Sequence, residues 1–185
     1  IILAGRASRS LDAWNARVAL AETLNARVLT DLKIGASFPT DHPLHLGAPG
    51  MLLPDADGLA ALAEADVILS LDWVDLGGTL KAAKGDAFVI SATLDQHIHN
   101  GWSMDHQALP PVDMLIAADP DQVASTVLAE TDAASCTGDG KADGVQQTVF
   151  VGACSALVNA AYWVVWARSP ATKPLSAELK TKLRT

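Results

Sequence analysis

The feature that most constrains the fold is an alternation of short apolar runs with stretches of helical periodicity over the first two thirds of the chain. The apolar runs are typical of buried strands, whereas Leu11, Trp14 and Val18 show the spacing of a helix with one buried face. Strands that alternate with helices form parallel sheets, because a crossover must return the chain to the same end of the sheet. We therefore predict an α/β, Rossmann-like fold, with strands at 1–4, 27–30, 67–71, 87–91 and 114–117 and helices near 11–24, 55–65, 77–84 and 121–130.

Composition limits the classes of partner. The chain has 185 residues, half of them hydrophobic, which is enough for one buried core. It carries 13 Lys+Arg against 21 Asp+Glu, a formal net charge of −8, whereas a nucleic-acid surface needs basic residues to neutralise phosphates. We therefore expect no nucleic-acid partner. Cys136 and Cys154 fit no zinc-binding spacing, so we expect reduced thiols and a cytoplasmic location.

Composition also changes along the chain. After Glu130 a stretch rich in Asp, Ala, Gly, Ser and Thr indicates a linker, and residues 145–167 carry no formal charge. That uncharged stretch is long enough for a buried helix, which we prefer, or for a membrane-associated helix. The chain starts at Ile1, inside a predicted strand, so we expect a fragment of a longer polypeptide. We divide it into an α/β domain at 1–130, a linker at 131–144 and a helical appendage of unknown role at 145–185.

The turn after the first predicted strand is a candidate for ligand binding. A dinucleotide fingerprint needs G-x-G-x-x-G, so that the backbone can approach the pyrophosphate at a helix N-terminus, and this turn has Gly5 alone. Asp31, after the second strand, could be a ribose-binding acid or an exposed loop acid. The incomplete motif argues against a NAD-dependent dehydrogenase, although Arg6 and the N–H groups of the first helix could hold another anion.

The histidines, the loop at Asp139 and the Ser and Cys residues are candidates for metal or nucleophile sites. Imidazoles two or three residues apart can share a metal ion, but no third ligand stands at a recognisable spacing, so we predict hydrogen-bonded loops instead. A calcium loop starting at Asp139 would place Lys141 and Phe150 where carboxylates are needed. No Ser or Cys has the context of a nucleophile elbow. The histidines concerned are His42, His45, His97, His99 and His106.

Three stretches carry a resemblance to a known family. They are the first strand with its glycine turn (2–10), the second strand through the G-x-x-G turn that ends at Gly50 (27–51), and the Ala-Asp opening of the third strand (64–72). Together they resemble the middle domain of thiamine-diphosphate-dependent enzymes of the acetolactate synthase and benzoylformate decarboxylase type. The resemblance implies a six-stranded parallel sheet with helices on both faces, and it ends near Glu130.

The resemblance also carries expectations about cofactors. In acetolactate synthases this domain holds FAD next to a G-x-R-F-D-D-R stretch, whereas the stretch 71–77 here has one matching acid and no arginine, so it implies no FAD. Thiamine diphosphate and Mg²⁺ would be bound by other domains of the parent enzyme, and this segment would contain no catalytic residue and no metal ligand. The positions that would contact any cofactor of this domain are Gly5, Arg6, Gly50, Asp72, Trp73 and Asp95.

The resemblance therefore implies the non-catalytic middle domain of a thiamine-diphosphate-dependent 2-oxo-acid decarboxylase or carboligase, a lyase or transferase. Its partners would be the other domains or subunits of that enzyme, assembled as a homo-oligomer, with a small 2-oxo acid as substrate. Two alternatives stay open. One is a stand-alone module that binds a nucleotide or cofactor at the carboxyl ends of the strands. The other is a domain tethered to a membrane by residues 145–167.

Overall fold

A computed structural model of the protein describes residues 1–31, 34–47, 53–95, 112–135 and 164–165. Within these ranges strands and helices alternate as the sequence predicts. The elements in chain order are β1 (Ile2–Ala4), α1 (Leu11–Thr23), β2 (Val28–Thr30), α2 (Ala56–Glu64), β3 (Val67–Leu71), α3 (Leu76–Ala83), β4 (Phe88–Ala92), β5 (Met114–Ile116), α4 (Pro120–Ser135) and β6 (Val164–Val165).

The strands form one sheet in the order β2-β1-β3-β4-β5-β6. The first five strands are parallel, and β6 pairs with β5 in the antiparallel direction. The predicted α/β, Rossmann-like fold is therefore confirmed, with the sixth strand running against the other five. Val164 and Val165 lie in the stretch predicted as a helix, and for these two residues that prediction is wrong. Both are β-branched, and they hydrogen-bond to the outer edge of β5, which has β4 on its other side.

Alternate residues of each parallel strand point to opposite faces of the sheet, and both faces are buried. Ile2 packs in one hydrophobic cluster with residues of α1 and α4, and Leu3 packs in the other with residues of α2 and α3. The same alternation holds at Leu69 and Ile68 of β3. Because both faces need an apolar cover, the strands are mostly apolar, and their buried polar exceptions are Thr30, Ser70 and Ser91. The predicted helices on both faces are confirmed.

Two helices differ from their predictions. In α1 the buried residues are Arg17, Leu20 and Ala21, whereas Leu11 is 70% exposed, so the predicted inner face is wrong at Leu11. Leu11 is the first residue of the helix, one full turn or more before the buried residues of that face. Helix α4 continues to Ser135, five residues past its predicted end at 130, because the first helix-breaking residue after Pro120 is Gly138.

Several predictions fall on residues that the structure does not describe. These are the role of Gly50, the loop with His97, His99 and His106, the linker beyond Ser135 and most of the appendage. The domain limits stay predictions for the same reason. In the part of the chain that the structure does describe, none of the helices has both the length and the apolar character that crossing a membrane requires.

Candidate functional site

The strand order creates one reversal in the sheet. From β1 the chain moves to β2 on one side, then crosses back to β3 on the other side of β1. In open α/β sheets, ligands bind outside the carboxyl ends of the strands at such a reversal, because the adjacent loops turn in opposite directions and leave a crevice. Gly5 and Arg6 follow β1, and Asp72 and Trp73 follow β3. Four of the predicted positions therefore meet at this point.

Gly5 lies in direct contact with the end of β3. Its N–H donates to the carbonyl of Leu71 at 3.0 Å, and the N–H of Arg6 donates to the carbonyl of Asp72 at 3.0 Å. A Cβ atom on Gly5 would lie 2.3 Å from the Asp72 carbonyl oxygen, closer than atoms can pack. Only glycine allows this approach, and the two backbones consequently stay paired beyond the ends of their strands.

The Arg6 side chain joins the ends of three strands. Its Nε lies 2.9 Å from Oδ2 of Asp72, and its Nη2 lies 2.9 Å from Oδ1 of Asp72 and 3.1 Å from Oδ2 of Asp95. Thr93, which follows β4, donates its hydroxyl to Oδ1 of Asp72 at 2.6 Å. The hydrogen bond to Asp72, together with the Asp95 contact, raises the pKa of the Arg6 guanidinium above its ordinary value, although partial burial opposes this.

The turn after β3 is held in an unusual backbone conformation. Asp72 and Asp75 both have positive φ angles, 55° and 67°, which residues other than glycine seldom adopt. Asp72 is fixed by the contacts with Arg6 and Thr93, and Asp75 accepts a hydrogen bond from the N–H of Gly78 at the start of α3. The backbone at the carboxyl end of β3 is therefore held by hydrogen bonds within the chain.

Trp73 occupies a different environment from its neighbours. Its side chain is buried against α3, and its indole Nε1 donates to the hydroxyl of Thr79 at 2.9 Å. The indole donor is thus already used inside the core. The structure brings Gly5, Arg6, Asp72 and Asp95 together at the carboxyl edge and places the Trp73 side chain in the core.

Sequence reasoning missed a second charged group, below the loop that joins β1 to α1. Arg17 is 2% exposed and forms an ion pair with Asp121 of α4. Its Nε donates to the Ser37 carbonyl at 2.9 Å, and its Nη2 donates to the Ser8 carbonyl at 3.0 Å. Asp121 also accepts a hydrogen bond from the Ser8 N–H at 2.8 Å. In the sequence, Arg17 stands four residues before Ala21, and this spacing indicates that Arg17 lies on the buried face of the helix.

The two described histidines form hydrogen bonds in the loop after β2, as predicted. His42 accepts from the N–H of Leu44 through Nδ1 at 3.2 Å and contacts Glu22 through Nε2 at 3.2 Å. His45 Nε2 lies 3.0 Å from the Thr30 hydroxyl, and burial lowers the pKa of His45 below its ordinary value. Across the ranges that the structure describes, no group of three or more metal-ligating side chains comes together.

The charges at the carboxyl edge determine what it can bind. One guanidinium faces two carboxylates, so the cluster of Arg6, Asp72 and Asp95 has a net charge of −1 with all three groups ionised. Further carboxylates lie at this edge because the helices begin there: Asp55 accepts from the N–H of Gly58 at the start of α2, and Asp12 lies in the first turn of α1. The arrangement suits a cationic group better than an anion.

Comparison with known proteins identifies the fold as that of a described family. Residues 1–125 match the family model for the thiamine pyrophosphate enzyme, central domain. The matched region begins at β1 and ends within α4, so it includes the five parallel strands and every residue of the charged cluster. The comparison with curated proteins gave no match.

Proposed function

The chain belongs to the thiamine pyrophosphate enzyme central-domain family, and on that premise we propose that it is the non-catalytic middle domain of a 2-oxo-acid decarboxylase or carboligase. Membership implies thiamine diphosphate in the enzyme that contains the domain. In this proposal the domain is a scaffold: it holds the cofactor-binding domains in position and shapes the approach of a small 2-oxo acid. The proposal includes a homo-oligomeric parent enzyme and a cytoplasmic location, the latter on cysteine usage alone.

The observation that carries the scaffold role is the closed carboxyl edge. The backbones of β1 and β3 stay hydrogen-bonded past their ends at Gly5 and Arg6, where a crevice would otherwise open. The Arg6 guanidinium is already paired with Asp72 and Asp95. A domain whose described residues close the reversal between β1 and β3 in this way suits a structural task.

The described residues do not fit thiamine diphosphate itself. A diphosphate needs cations or unpaired N–H groups, whereas the cluster at the reversal presents the carboxylates of Asp72 and Asp95 around the already paired guanidinium of Arg6. The pyrophosphate of FAD meets the same obstacle. We therefore assign thiamine diphosphate and Mg²⁺ to other domains of the parent enzyme and derive no catalytic step from the residues of this one.

A stand-alone nucleotide-binding module is the second candidate, and the strand order favours it. The reversal between β1 and β3 is the place where open α/β sheets bind nucleotides, and the β1–α1 loop lies directly above it. This candidate requires the Arg6 ion pairs to open when a nucleotide arrives.

The experiment that tests the proposed function uses the complete reading frame that encodes this chain. Sequencing it on both sides should show thiamine-diphosphate-binding domains, and the complete enzyme should release CO₂ from pyruvate or benzoylformate only when thiamine diphosphate is added. Leu69→Ala, in the core of β3, should lower the active fraction on heating, with the exposed Ser125→Ala of α4 as a matched control. A complete frame without thiamine-enzyme domains would contradict the proposal.

A further inference from the structure

The charged side chains of Arg6, Asp72 and Asp95 at the carboxyl edge are paired with one another. We propose that Asp72 and Asp95 hold Arg6 in an ion-pair lock that excludes anionic ligands from the reversal between β1 and β3. The inference does not depend on which enzyme contains the domain, because it rests on contacts within this chain.

The geometry of the lock is specific to a guanidinium. Arg6 presents five N–H donors in a planar fork; Nη2 donates to Oδ1 of Asp72 and to Oδ2 of Asp95, and Nε lies 2.9 Å from Oδ2 of Asp72. Nε and Nη2 thus face the two oxygens of Asp72 side by side, the arrangement in which arginine and carboxylate interact most strongly. An anion that approached Arg6 would have to compete with both carboxylates at hydrogen-bond distance.

Several contacts fix the carboxylates in place. Asp72 accepts a further hydrogen bond from Thr93, and its own N–H donates to the carbonyl of Ala92 at 2.8 Å. The N–H of Asp95 donates to the hydroxyl of Thr93 at 2.9 Å. Thr93 therefore fixes the carboxylate of Asp72 and the backbone of Asp95, the two acids that face Arg6.

A backbone N–H that could bind an anion is also already hydrogen-bonded within the chain. In this fold an anion is commonly held by N–H groups of the loop that leads into the first helix. Here the N–H of Ser8 donates to the carboxylate of Asp121, and Arg17 holds that carboxylate in place from below. The carboxylate of Asp121 from α4 thus occupies the N–H of Ser8, a donor that a phosphate in this loop would need.

The lock serves exclusion more than stability. The Arg6 side chain is 43% exposed, and ion pairs at that exposure contribute little to folding because water screens them. Removing one carboxylate should consequently leave the fold intact while it frees the guanidinium. That difference makes the proposal testable with small substitutions.

The test measures binding of inorganic pyrophosphate to the full chain by isothermal titration calorimetry at low salt. The wild-type chain should give no measurable binding, and Asp95→Asn should raise the affinity by about tenfold or more, because one repelling charge near Arg6 is removed. Asp72→Asn/Asp95→Asn should raise it further, and adding Arg6→Met to either variant should abolish the gain. Far-UV circular dichroism checks folding, and Asp95→Asn alone carries the test if the double variant does not fold.

The matched control is Asp12→Asn. Asp12 is exposed in the first turn of α1, at the same edge of the sheet and outside the Arg6 cluster, so this change removes the same charge without freeing Arg6. The proposal predicts no gain in pyrophosphate affinity for this variant. Binding by the wild-type chain as tight as that of Asp95→Asn, an equal gain from Asp12→Asn, or no gain from either lock variant would each overturn it.

Discussion

The guanidinium of Arg17 on α1 is paired with the carboxylate of Asp121 on α4, and the pair binds both backbone polar groups of Ser8. Arg17 lies 104 residues before its partner and is almost completely buried. The pair therefore joins the first and last helices of the described domain and fixes the loop between β1 and α1. A buried charge of this kind persists only when its hydrogen bonds are satisfied, and here each side of the pair also binds the backbone.

Breaking this pair should strongly destabilise the domain. Arg17→Met leaves the Asp121 carboxylate partly buried without its cation and leaves the carbonyls of Ser8 and Ser37 without their donor. We expect the free energy of unfolding to fall by about 3 kcal/mol or more in urea denaturation. The exposed Arg27→Met should change it by less than about 0.5 kcal/mol. Equal losses in the two variants would show that the buried pair has no special role.

Adding Cβ at Gly5 should disturb the contact between β1 and β3. Gly5→Ala places a methyl group 2.3 Å from the Asp72 carbonyl oxygen, and that atom belongs to backbone that cannot rotate away. We expect a loss of about 1–3 kcal/mol, measured by thermal and urea unfolding. Gly35→Ala is the control, because the nearest atom to its Cβ would be 3.9 Å away. A Gly5→Ala variant as stable as Gly35→Ala would contradict the close approach.

His45 should make stability depend on pH. Burial lowers its pKa in the folded state below the ordinary 6.5, so the unfolded chain binds a proton more readily. The contribution is fully present above pH 6.5 and is lost as pH falls from there through the lower folded-state pKa. Unfolding curves of wild type and His45→Gln between pH 5 and 8 should diverge in that window, with wild type losing more stability on acidification. Parallel curves would rule out this linkage.

The fold could be predicted from the sequence because both faces of the sheet are buried. Each strand therefore had to be a short, mostly apolar run, and Val67–Leu71, in which Ser70 is the one polar residue, is distinct from the helices around it by this feature. The two-residue β6 could not be predicted in the same way. A pair of valines inside a long uncharged stretch fits a helix or a strand. These two form a strand because they pair with the edge of β5, a contact that the local sequence does not show.

The site was predicted only in part, for two physical reasons. The positions after β1 and β3 followed from the family resemblance, and the parallel strands bring them to one edge of the sheet. The ion pairs of Arg6 were not, since nothing local relates Arg6 to Asp72 or Asp95, 66 and 89 residues away. Arg17 was missed because a charged residue on an apolar helix face indicates a buried partner without identifying it.

The ion pairs of Arg6 should close the carboxyl edge of this member of the thiamine pyrophosphate enzyme central-domain family to anionic cofactors. Isothermal titration of the purified chain with FAD, with ADP and with thiamine diphosphate plus Mg²⁺ measures whether it does. We expect no binding heat for any of the three at cofactor concentrations up to about 1 mM, which corresponds to a binding free energy weaker than about −4 kcal/mol. Saturable binding of FAD or ADP with a Kd in the micromolar range, abolished by Arg6→Met, would contradict it.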